Sequence, residues 1–413
     1  MISVRVPVAS WSRTADVAYG GDVSECPLPP EAVAGALRPF GSSSLLPAAA
    51  YIDPRVFAWE TEHFFDGGWV CVGRGDEIAA PASQRAVVVG SSSVLLSRDR
   101  NGVIRAFANI CRHRGHELLP CGSVANRGVI QCPYHAWSYE LDGVLRLAPH
   151  VGAPLDPVEF GLVPVALESW GGWLFVNLDG RAGSFTEHLG ALPAMLANWS
   201  CEDLVVGVSH EYELAANWKL AAENYHECYH CPLIHPELCR VTHPNSGDNF
   251  RDEPGAFVGG TMDIVVGAHT MSFSGELVGS VRPSLDAAQR RQVVYVHLFP
   301  NLLLSLHPDY VMTHRIQPRT ATTATIECQW LFAPEDLGRP DFSPGDGVDL
   351  WDLTNRQDWA AVESIQRSMA SPLYRPGVLA HNEDAVYQFV ALVANGYAGN
   401  PLVRGRITPE YSR

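Results

Sequence analysis

The chain has 413 residues, 46% of them hydrophobic, and carries 29 basic against 45 acidic side chains, a formal net charge of -16. This length and hydrophobic content predict two or three globular domains with a sizeable core, and the acidic balance argues against nucleic-acid binding. Since no apolar run approaches the roughly 18 residues of a membrane helix and no signal-peptide pattern is present, we expect a cytoplasmic protein without membrane partners.

The N-terminal part predicts an arm followed by a helix. Residues 1–45 carry Pro, Gly and Ser breaks and are interpreted as an arm with a short helical segment near Pro30–Leu37. An amphipathic helix is predicted over Asp53–Phe65, because Pro54 suits a first helical turn and the phenylalanines supply an apolar face. It belongs to a helical segment, 46–68, that is expected to pack on the C-terminal domain.

A small all-β domain is predicted over residues 69–168. Short alternating strands bounded by turn residues are typical of such a domain, and they are expected at Ala86–Val89, Val94–Ser97, Val103–Ile110 and, where the domain closes, near Leu162–Trp170.

The remaining residues, 169–413, predict a second domain that mixes helices with a large antiparallel sheet. A strand at Trp173–Asn177 and a helix at Phe185–Trp199, interrupted by Pro193, are expected first. Alternating apolar residues across 255–332 then predict the sheet, and two helices follow at Leu350–Met369 and Asn382–Asn395. The fold class is therefore α+β.

Two Cys–His pairs lie in the β-rich domain, C-R-H at Cys111–His113 and C-P-Y-H at Cys132–His135. In a reducing cytosol clustered cysteines favour metal binding over disulfides. Tetrahedral zinc is one alternative. A Rieske-type [2Fe–2S] cluster, with two thiolates on one iron and two imidazoles on the other, fits this pattern better. Cys121, between the pairs, is predicted to be a small core residue.

The stretch from Asn217 to His235 concentrates a carboxylate and two histidines. Glu227 and His230 are three residues apart and would share one face of a helix. His230 and His235 are five apart, so a π-type widening near Pro232 is expected to align them. Two imidazoles and a carboxylate from elsewhere would form the facial triad of an oxygen-activating ferrous iron.

These motifs resemble a known family. C-R-H-R-G-H with C-P-Y-H-A-W-S-Y, and N-W-K…E-N-Y-H-E-C-Y-H…H, are similar to the two metal motifs of the α subunit of Rieske non-haem iron oxygenases, from about residue 45 onward. The resemblance implies a Rieske domain, a helix-grip catalytic domain and a head-to-tail homotrimer. It also implies electrons from NAD(P)H through a separate flavin- or ferredoxin-type reductase. Ala136 stands where the family usually has Gly.

The resemblance also implies which residues do the work. Cys111, His113, Cys132 and His135 would bind the [2Fe–2S] cluster. His230 and His235 would bind Fe²⁺, with Asp358 as third ligand and Glu227 linking the two centres. Glu363, Glu383 and Asp384 are the alternatives to Asp358 as the third iron ligand. Asn224 is expected to be an accessory polar residue near the iron. Arg112, Arg114 and Arg127 could form a basic docking patch for an acidic reductase.

Three further segments resemble the branch that oxidises quaternary amines: H-E-C-Y-H-C-P-L-I-H-P-E-L, G-G-T-M-D and F-P-N-L-L-L-S-L-H-P-D-Y-V-M-T-H. This implies O₂-dependent hydroxylation of an N-methyl group, as in glycine betaine, with release of formaldehyde. Ring hydroxylation of an aromatic acid is the alternative, and a non-catalytic Rieske electron carrier is the alternative of another class. The predicted substrate pocket is an aromatic strand face that could hold the cation: Tyr295, His297, Phe299 and Tyr310.

Overall fold

The computed structural model describes residues 25–407, which form two compact units. The first described unit spans residues 61–185, and the second combines residues 25–60 with 186–407. The predicted domain limit at 168/169 is therefore too early, because the strand Trp173–Asn177 pairs with Pro164–Trp170 inside the first unit. The predicted helical segment 46–68 is divided between the units at residue 60.

Part of the predicted N-terminal arm is folded. Residues 25–45 belong to the second unit, where the Phe40 and Tyr387 rings lie 5.4 Å apart. The remainder of the arm, residues 1–24, lies outside the described residues. Of the described helices, none is long and apolar enough to cross a membrane.

The first unit is built from antiparallel strands, as expected from its short alternating segments. A seven-stranded sheet has the order β1–β10–β9–β4–β3–β2–β5, and β6–β7–β8 form a small separate sheet. The strands are β1 (Val70–Arg74), β2 (Ser83–Val89), β3 (Ser92–Arg98), β4 (Ile104–Ala108), β5 (Val124–Asn126), β6 (Ile130–Gln131), β7 (Ser138–Tyr139), β8 (Leu145–Leu147), β9 (Pro164–Trp170) and β10 (Trp173–Asn177).

The second unit contains one seven-stranded antiparallel sheet with the order β11–β17–β16–β15–β14–β13–β12. Together with the helices this confirms the α+β class. The strands are β11 (Val205–Leu214), β12 (Asp248–Asn249), β13 (Phe257–Asp263), β14 (Gln292–Leu298), β15 (Leu302–Leu306), β16 (Val311–Thr320) and β17 (Thr323–Phe332).

The α-helices of the described chain lie mostly in the second unit. They are α1 (Pro30–Val33), α2 (Ala49–Ile52), α3 (Pro54–Glu60), α4 (Phe185–Leu189), α5 (Leu192–Met195), α6 (Trp218–Tyr225), α7 (Cys231–Ile234), α8 (Pro334–Leu337), α9 (Gly345–Met369) and α10 (Asp384–Tyr397). Single 3₁₀ turns occur at Gly75–Ile78, Ala197–Trp199, Cys201–Asp203, Leu238–Arg240 and Gln289–Arg291.

Helix boundaries differ from the sequence prediction where proline or a π turn intervenes. The predicted helix Phe185–Trp199 is two short helices, and Pro193 lies in the first turn of α5, where a missing N–H costs nothing. The predicted helix Asp53–Phe65 changes from α3 to a π-helical turn at Thr61–Asp66. Helix α9 begins five residues before the predicted Leu350, at Gly345.

Strand alternation predicted the sheet but not its depth of burial. Helices α6, α9 and α10 pack on the strands of the second unit, and every residue of β15 is buried. Consecutive residues of β16, such as Met312 and Thr313, are buried as well, although they point to opposite faces. Both faces of the central strands therefore contribute to the core.

A buried ion pair joins three helices of the second unit. Lys219 Nζ on α6 lies 2.6 Å from Glu60 Oε1 at the end of α3, and both side chains are fully buried. The Trp218 indole N–H donates to the other Glu60 oxygen at 2.8 Å, and the Tyr397 hydroxyl of α10 also donates to Glu60. Four polar groups thus satisfy one another where the side chains have no solvent exposure, which such a buried charge requires.

We expect Glu60→Leu to destabilise the protein by about 3–5 kcal/mol, because it leaves the Lys219 ammonium buried without a counter-charge. The double variant Glu60→Leu/Lys219→Met should recover a large part of that loss, since it removes both charges. Urea unfolding followed by tryptophan fluorescence measures the difference. A single variant as stable as the unmodified protein would show that the pair contributes nothing.

Candidate metal centres

The two Cys–His pairs of the first unit lie on loops of matching geometry. Cys111 follows β4 and Cys132 follows β6. The N–H of Gly115 donates to the Cys111 carbonyl at 3.0 Å, and the N–H of Ala136 donates to the Cys132 carbonyl at 3.2 Å. Both closing residues have left-handed backbones, with φ of 72° and 59°. The two loops therefore share the same closing hydrogen bond and the same left-handed turn.

The cysteines and the histidines of these two loops differ in solvent exposure. Cys111 and Cys132 are each 2% exposed, whereas His113 and His135 are exposed, with ring centroids 4.7 Å apart. Burial raises the pKa of the Cys111 thiol, while the Tyr139 hydroxyl, 3.3 Å from its sulfur, opposes that shift. Two inner sulfurs and two outer imidazoles fit a [2Fe–2S] cluster with its histidine-bound iron toward the surface.

Ala136 occupies a backbone conformation that suits glycine. Its φ of 59° places a Cβ in the left-handed region, which costs a non-glycine residue about 1–2 kcal/mol. We expect Ala136→Gly to stabilise the protein by up to about 1 kcal/mol, part of the gain being lost to the greater freedom of the unfolded chain. Urea unfolding measures this. A destabilised Ala136→Gly variant would mean that the alanine methyl makes favourable contacts.

The second constellation lies in the second unit and brings three predicted side chains together. His230 Nε2 and His235 Nε2 lie 3.2 Å apart, and Asp358 Oδ1 of α9 lies 3.3 Å and 2.8 Å from them. Each residue offers one ligand atom, and these atoms lie within 4.8 Å of one another. Two nitrogens and a carboxylate oxygen on one side of a point are the donor set of a non-haem ferrous site.

Neighbouring acceptors fix the tautomers of both imidazoles. Glu227 Oε1 accepts from His230 Nδ1, and Gln357 Oε1 accepts from His235 Nδ1 at 2.7 Å. The Nε2 lone pairs are therefore available to a metal, as metal-binding histidines require. Burial disfavours charge on His230, but its bonds to Asp358 and Glu227 outweigh this and raise its pKa to about 9. The surrounding potential thus favours a cation.

The backbone around these ligands is a broken helix without π-type widening. Helix α6 ends at Tyr225, and the short helix α7 occupies only Cys231–Ile234, so His230 and His235 flank α7. Glu227 lies in the connecting turn, where its Oε2 accepts the N–H of His230 at 3.1 Å. The predictions of a shared helical face for Glu227 and His230, and of a π bulge, are therefore wrong, because the chain leaves the helix between them.

A cavity of about 750 Å³ opens at this triad within the second unit. Its described lining includes Asn224 at the end of α6, three acidic groups outside the triad and several aromatic rings. The acids are Glu227, Asp248 and Asp384, and the rings are Tyr225, Tyr229, Tyr295, Trp351 and Trp359. Such a cavity has the size of a small-molecule site.

Two family models match the chain. One, described as the Rieske [2Fe–2S] domain, matches residues 68–166, and one described as the ring hydroxylating alpha subunit (catalytic domain) matches residues 201–399. The glycine betaine monooxygenase oxygenase subunit of Pseudomonas aeruginosa is 30% identical over 390 residues, which cover 85% of this chain and 89% of that protein. The chain belongs to the Rieske non-haem iron oxygenases.

Other relatives and structures agree with this assignment. The carnitine monooxygenase oxygenase subunit of Escherichia coli (strain K12) is 39% identical over 195 residues, 46% of this chain and 52% of that protein. The quaternary ammonium Rieske monooxygenase CntA in complex with γ-butyrobetaine matches with a TM-score of 0.70 and 26% identity, covering 90% of this chain and 99% of that one. This Rieske oxygenase is an oxidoreductase with a [2Fe–2S] cluster and a non-haem iron, and a separate reductase supplies its electrons.

The competitors for the third iron ligand of the oxygenase are engaged elsewhere. Glu363 accepts the N–H of Ala215 at 3.0 Å, and Glu383 accepts the N–H of Ala380 at 2.6 Å. Asp384 accepts from the Asn249 side chain. Asp358 alone of the four has an oxygen facing both imidazoles.

Only part of the predicted substrate pocket lines the cavity of the oxygenase. Tyr295 does, whereas His297 lies further along β14 against Phe389, and Phe299, directly after β14, packs against Trp218. Tyr310 stacks on His307 with ring centroids 4.1 Å apart and belongs to the core. The prediction of these last three as pocket residues is wrong, because strand alternation does not show which end of a face is covered by helices.

The structure also corrects one cysteine prediction, shows a disulfide and adds one hydrogen-bond partner of the iron site. Cys121 is exposed and is not a core residue. Cys228 and Cys231 form a disulfide across the turn that carries His230. Gln357 was missed, although its position beside Asp358 on α9 could have indicated it.

Proposed function

We propose that this oxygenase removes an N-methyl group from a quaternary amine such as glycine betaine. The observation that carries the proposal is the cavity in which the His230–His235–Asp358 triad meets aromatic rings and surplus acidic groups. A trimethylammonium group is a permanent cation with an apolar surface. Aromatic rings and carboxylates together can bind such a group. Each ring contributes roughly 0.5–2 kcal/mol by cation–π attraction.

The relatives support the same chemistry, since they include glycine betaine and carnitine monooxygenase oxygenase subunits. A choline monooxygenase of Spinacia oleracea, 28% identical over 341 residues, also acts on such a compound. An aromatic acid, by contrast, carries no cationic group that Glu227, Asp248 and Asp384 could bind. Quaternary amine demethylation therefore explains the charges of the cavity, and ring hydroxylation of an aromatic acid does not.

The proposed reaction balances with one O₂ and two electrons. One oxygen atom enters an N-methyl C–H bond, and the other leaves as water with two protons and the two electrons from the reductase. The resulting N-hydroxymethyl ammonium loses formaldehyde and a proton, because the C–N bond breaks and its electrons return to nitrogen. The product is the corresponding tertiary amine.

The residues of the two metal sites and their neighbours have separate proposed roles. Cys111, His113, Cys132 and His135 hold the cluster, and His230, His235 and Asp358 hold the iron. When bound, the two centres supply reducing electrons and O₂ activation. Glu227 and Gln357 hold the Nδ1 protons of the iron-binding imidazoles, and Glu227 is also the charged link for electron transfer. Asn224 lines the substrate side.

The proposed assembly is a cytoplasmic homotrimer in which each cluster serves the iron of a neighbouring chain. A solved CntA structure is described in terms of inter-subunit electron transfer, which supports this arrangement. Head-to-tail contacts close into such a ring. Arg112, Arg114 and Arg127, all exposed in the first unit, would offer the reductase a basic surface on an otherwise acidic protein.

The test supplies the purified holoenzyme with a reductase system and a panel of methylated amines and aromatic acids. We expect formaldehyde and substrate-dependent oxygen uptake with trimethylammonium compounds only. A hydroxylated aromatic acid without formaldehyde would replace this proposal by ring hydroxylation. Cluster reduction without oxygen uptake for any compound would indicate an electron carrier.

A further inference from the structure

We infer that Arg251 binds a carboxylate at the far end of the substrate, so that the enzyme selects zwitterionic betaines over amino alcohols such as choline. This inference rests on the proposed function and narrows its substrate class. Among the described lining residues of the cavity, Arg251 is the only lysine or arginine. The described lining therefore contains one permanently positive side chain, against the carboxylates of Glu227, Asp248, Asp358 and Asp384.

The guanidinium of Arg251 has unused hydrogen-bonding capacity. Its Nε is buried and has no hydrogen-bond partner among the described residues. The nearest carboxylate, Asp248, lies 3.8 Å from Nη2, and 79% of the Asp248 side chain is exposed. A solvated ion pair at that distance contributes little. A planar fork of N–H groups next to a cavity matches a ligand carboxylate, which it can bind through two parallel hydrogen bonds.

The other acids near Arg251 are committed to different partners. Glu253 accepts from the Arg404 guanidinium at 3.1 Å, and its contact with Arg251 is to the backbone N–H at 2.9 Å. Asp384, which also faces Arg251 electrostatically, accepts from the Asn249 amide at 2.6 Å. Neither carboxylate therefore saturates the guanidinium.

The backbone before Arg251 is fixed on both sides. The N–H of Phe250 donates to the Gly259 carbonyl at 2.8 Å, and the Phe250 carbonyl accepts from the Gln388 side chain at 2.7 Å. Arg251 therefore projects from an anchored segment beside the edge strand β12. A binding group on a supported backbone loses little freedom when the ligand arrives, which favours affinity.

Arg251 and the triad reach the cavity from different elements of the fold. Arg251 follows β12, whereas the triad comes from the turn at α7 and from α9. A zwitterion can place its ammonium group among the rings near the triad and its carboxylate on Arg251. A choline hydroxyl would leave the guanidinium without a charged partner, and a site built for a polar group discriminates strongly against an analogue that lacks it.

The test compares Arg251→Gln and Arg251→Lys with Arg367→Gln, which removes the same charge from an exposed position of α9 outside the cavity lining. Formaldehyde kinetics are measured for γ-butyrobetaine and glycine betaine and for choline. We expect Arg251→Gln to raise KM for the two carboxylates by about 10- to 100-fold with kcat within a few-fold. KM for choline should stay unchanged, Arg251→Lys should lie between, and Arg367→Gln should match the unmodified enzyme.

Calorimetric binding of γ-butyrobetaine to the holoenzyme gives a readout that does not depend on turnover. A loss of affinity in Arg251→Gln, with an unchanged thermal midpoint, supports the carboxylate contact. Suppose that the unmodified enzyme demethylates betaines, but that the ratio of KM for the betaines to KM for choline is the same in Arg251→Gln as in the unmodified enzyme. The inference is then overturned and the proposed function stands. If no methylated amine yields formaldehyde, the proposed function fails, and unchanged calorimetric affinity in Arg251→Gln would overturn the inference as well.

Discussion

Replacement of Glu227 by Gln is expected to lower turnover by about 10- to 100-fold while both metal centres remain loaded. In the structure one Glu227 oxygen accepts the Nδ1–H of His230, and the other accepts the N–H groups of Tyr229 and His230. Glutamine is nearly isosteric and can keep one of these interactions, so iron binding survives. The negative charge, on which the proposed link between the centres depends, is lost.

Three measurements on Glu227→Gln separate a charged link from a merely structural role: iron content, cluster reduction by the reductase, and formaldehyde formation. The control is Glu335→Gln, an exposed position in the first turn of α8. Loss of iron from Glu227→Gln would assign the residue to orientation of His230 alone. Turnover close to that of the control would show that the charge is not needed.

A His113→Ala chain and an Asp358→Ala chain are each expected to be inactive, and their co-expressed mixture to be partly active. The first lacks an intact cluster, and the second lacks the third iron ligand. In a head-to-tail ring with random mixing, about one interface in four joins a good cluster to a good iron. Formaldehyde formation by the mixed assemblies should therefore approach a quarter of the unmodified level.

The control mixes the two variants after separate purification, where no rescue is expected unless subunits exchange. Metal analysis confirms that each variant has lost only its own centre. Co-expressed assemblies that contain both centres and yet form no formaldehyde would mean that electrons pass within one chain, and the proposed assembly would be abandoned.

The sequence was most informative where chemistry fixes residue types and spacing. The two Cys–His pairs predicted one shared metal site, and in the structure the His113 and His135 rings lie 4.7 Å apart beside the buried Cys111 and Cys132. The histidines of the second site and Asp358 are likewise brought together. Such ligands must converge on one point, so their side chains leave a strong pattern even when they lie far apart in the chain.

Sequence analysis failed where the path of the backbone, or a helix that covers a strand face, decides which side chains reach the site. Local spacing suggested that a continuous helix carries Glu227 and His230, but the chain turns between α6 and α7. Alternation placed Tyr295 and His297 on one strand face, yet only Tyr295 meets the cavity, because Phe389 of α10 packs against His297. Arg251 belongs to no sequence motif, and only the folded structure shows that it lines the cavity.

The central claim is that the cluster and the iron together supply the two electrons of an O₂-dependent N-demethylation. Single turnover tests it most directly. Fully reduced holoenzyme, freed of reductase and given γ-butyrobetaine, is mixed with O₂, and formaldehyde and cluster absorbance are followed together. We predict about one formaldehyde per catalytic site, formed as the cluster is oxidised. Cluster oxidation at the same rate without formaldehyde would contradict the account.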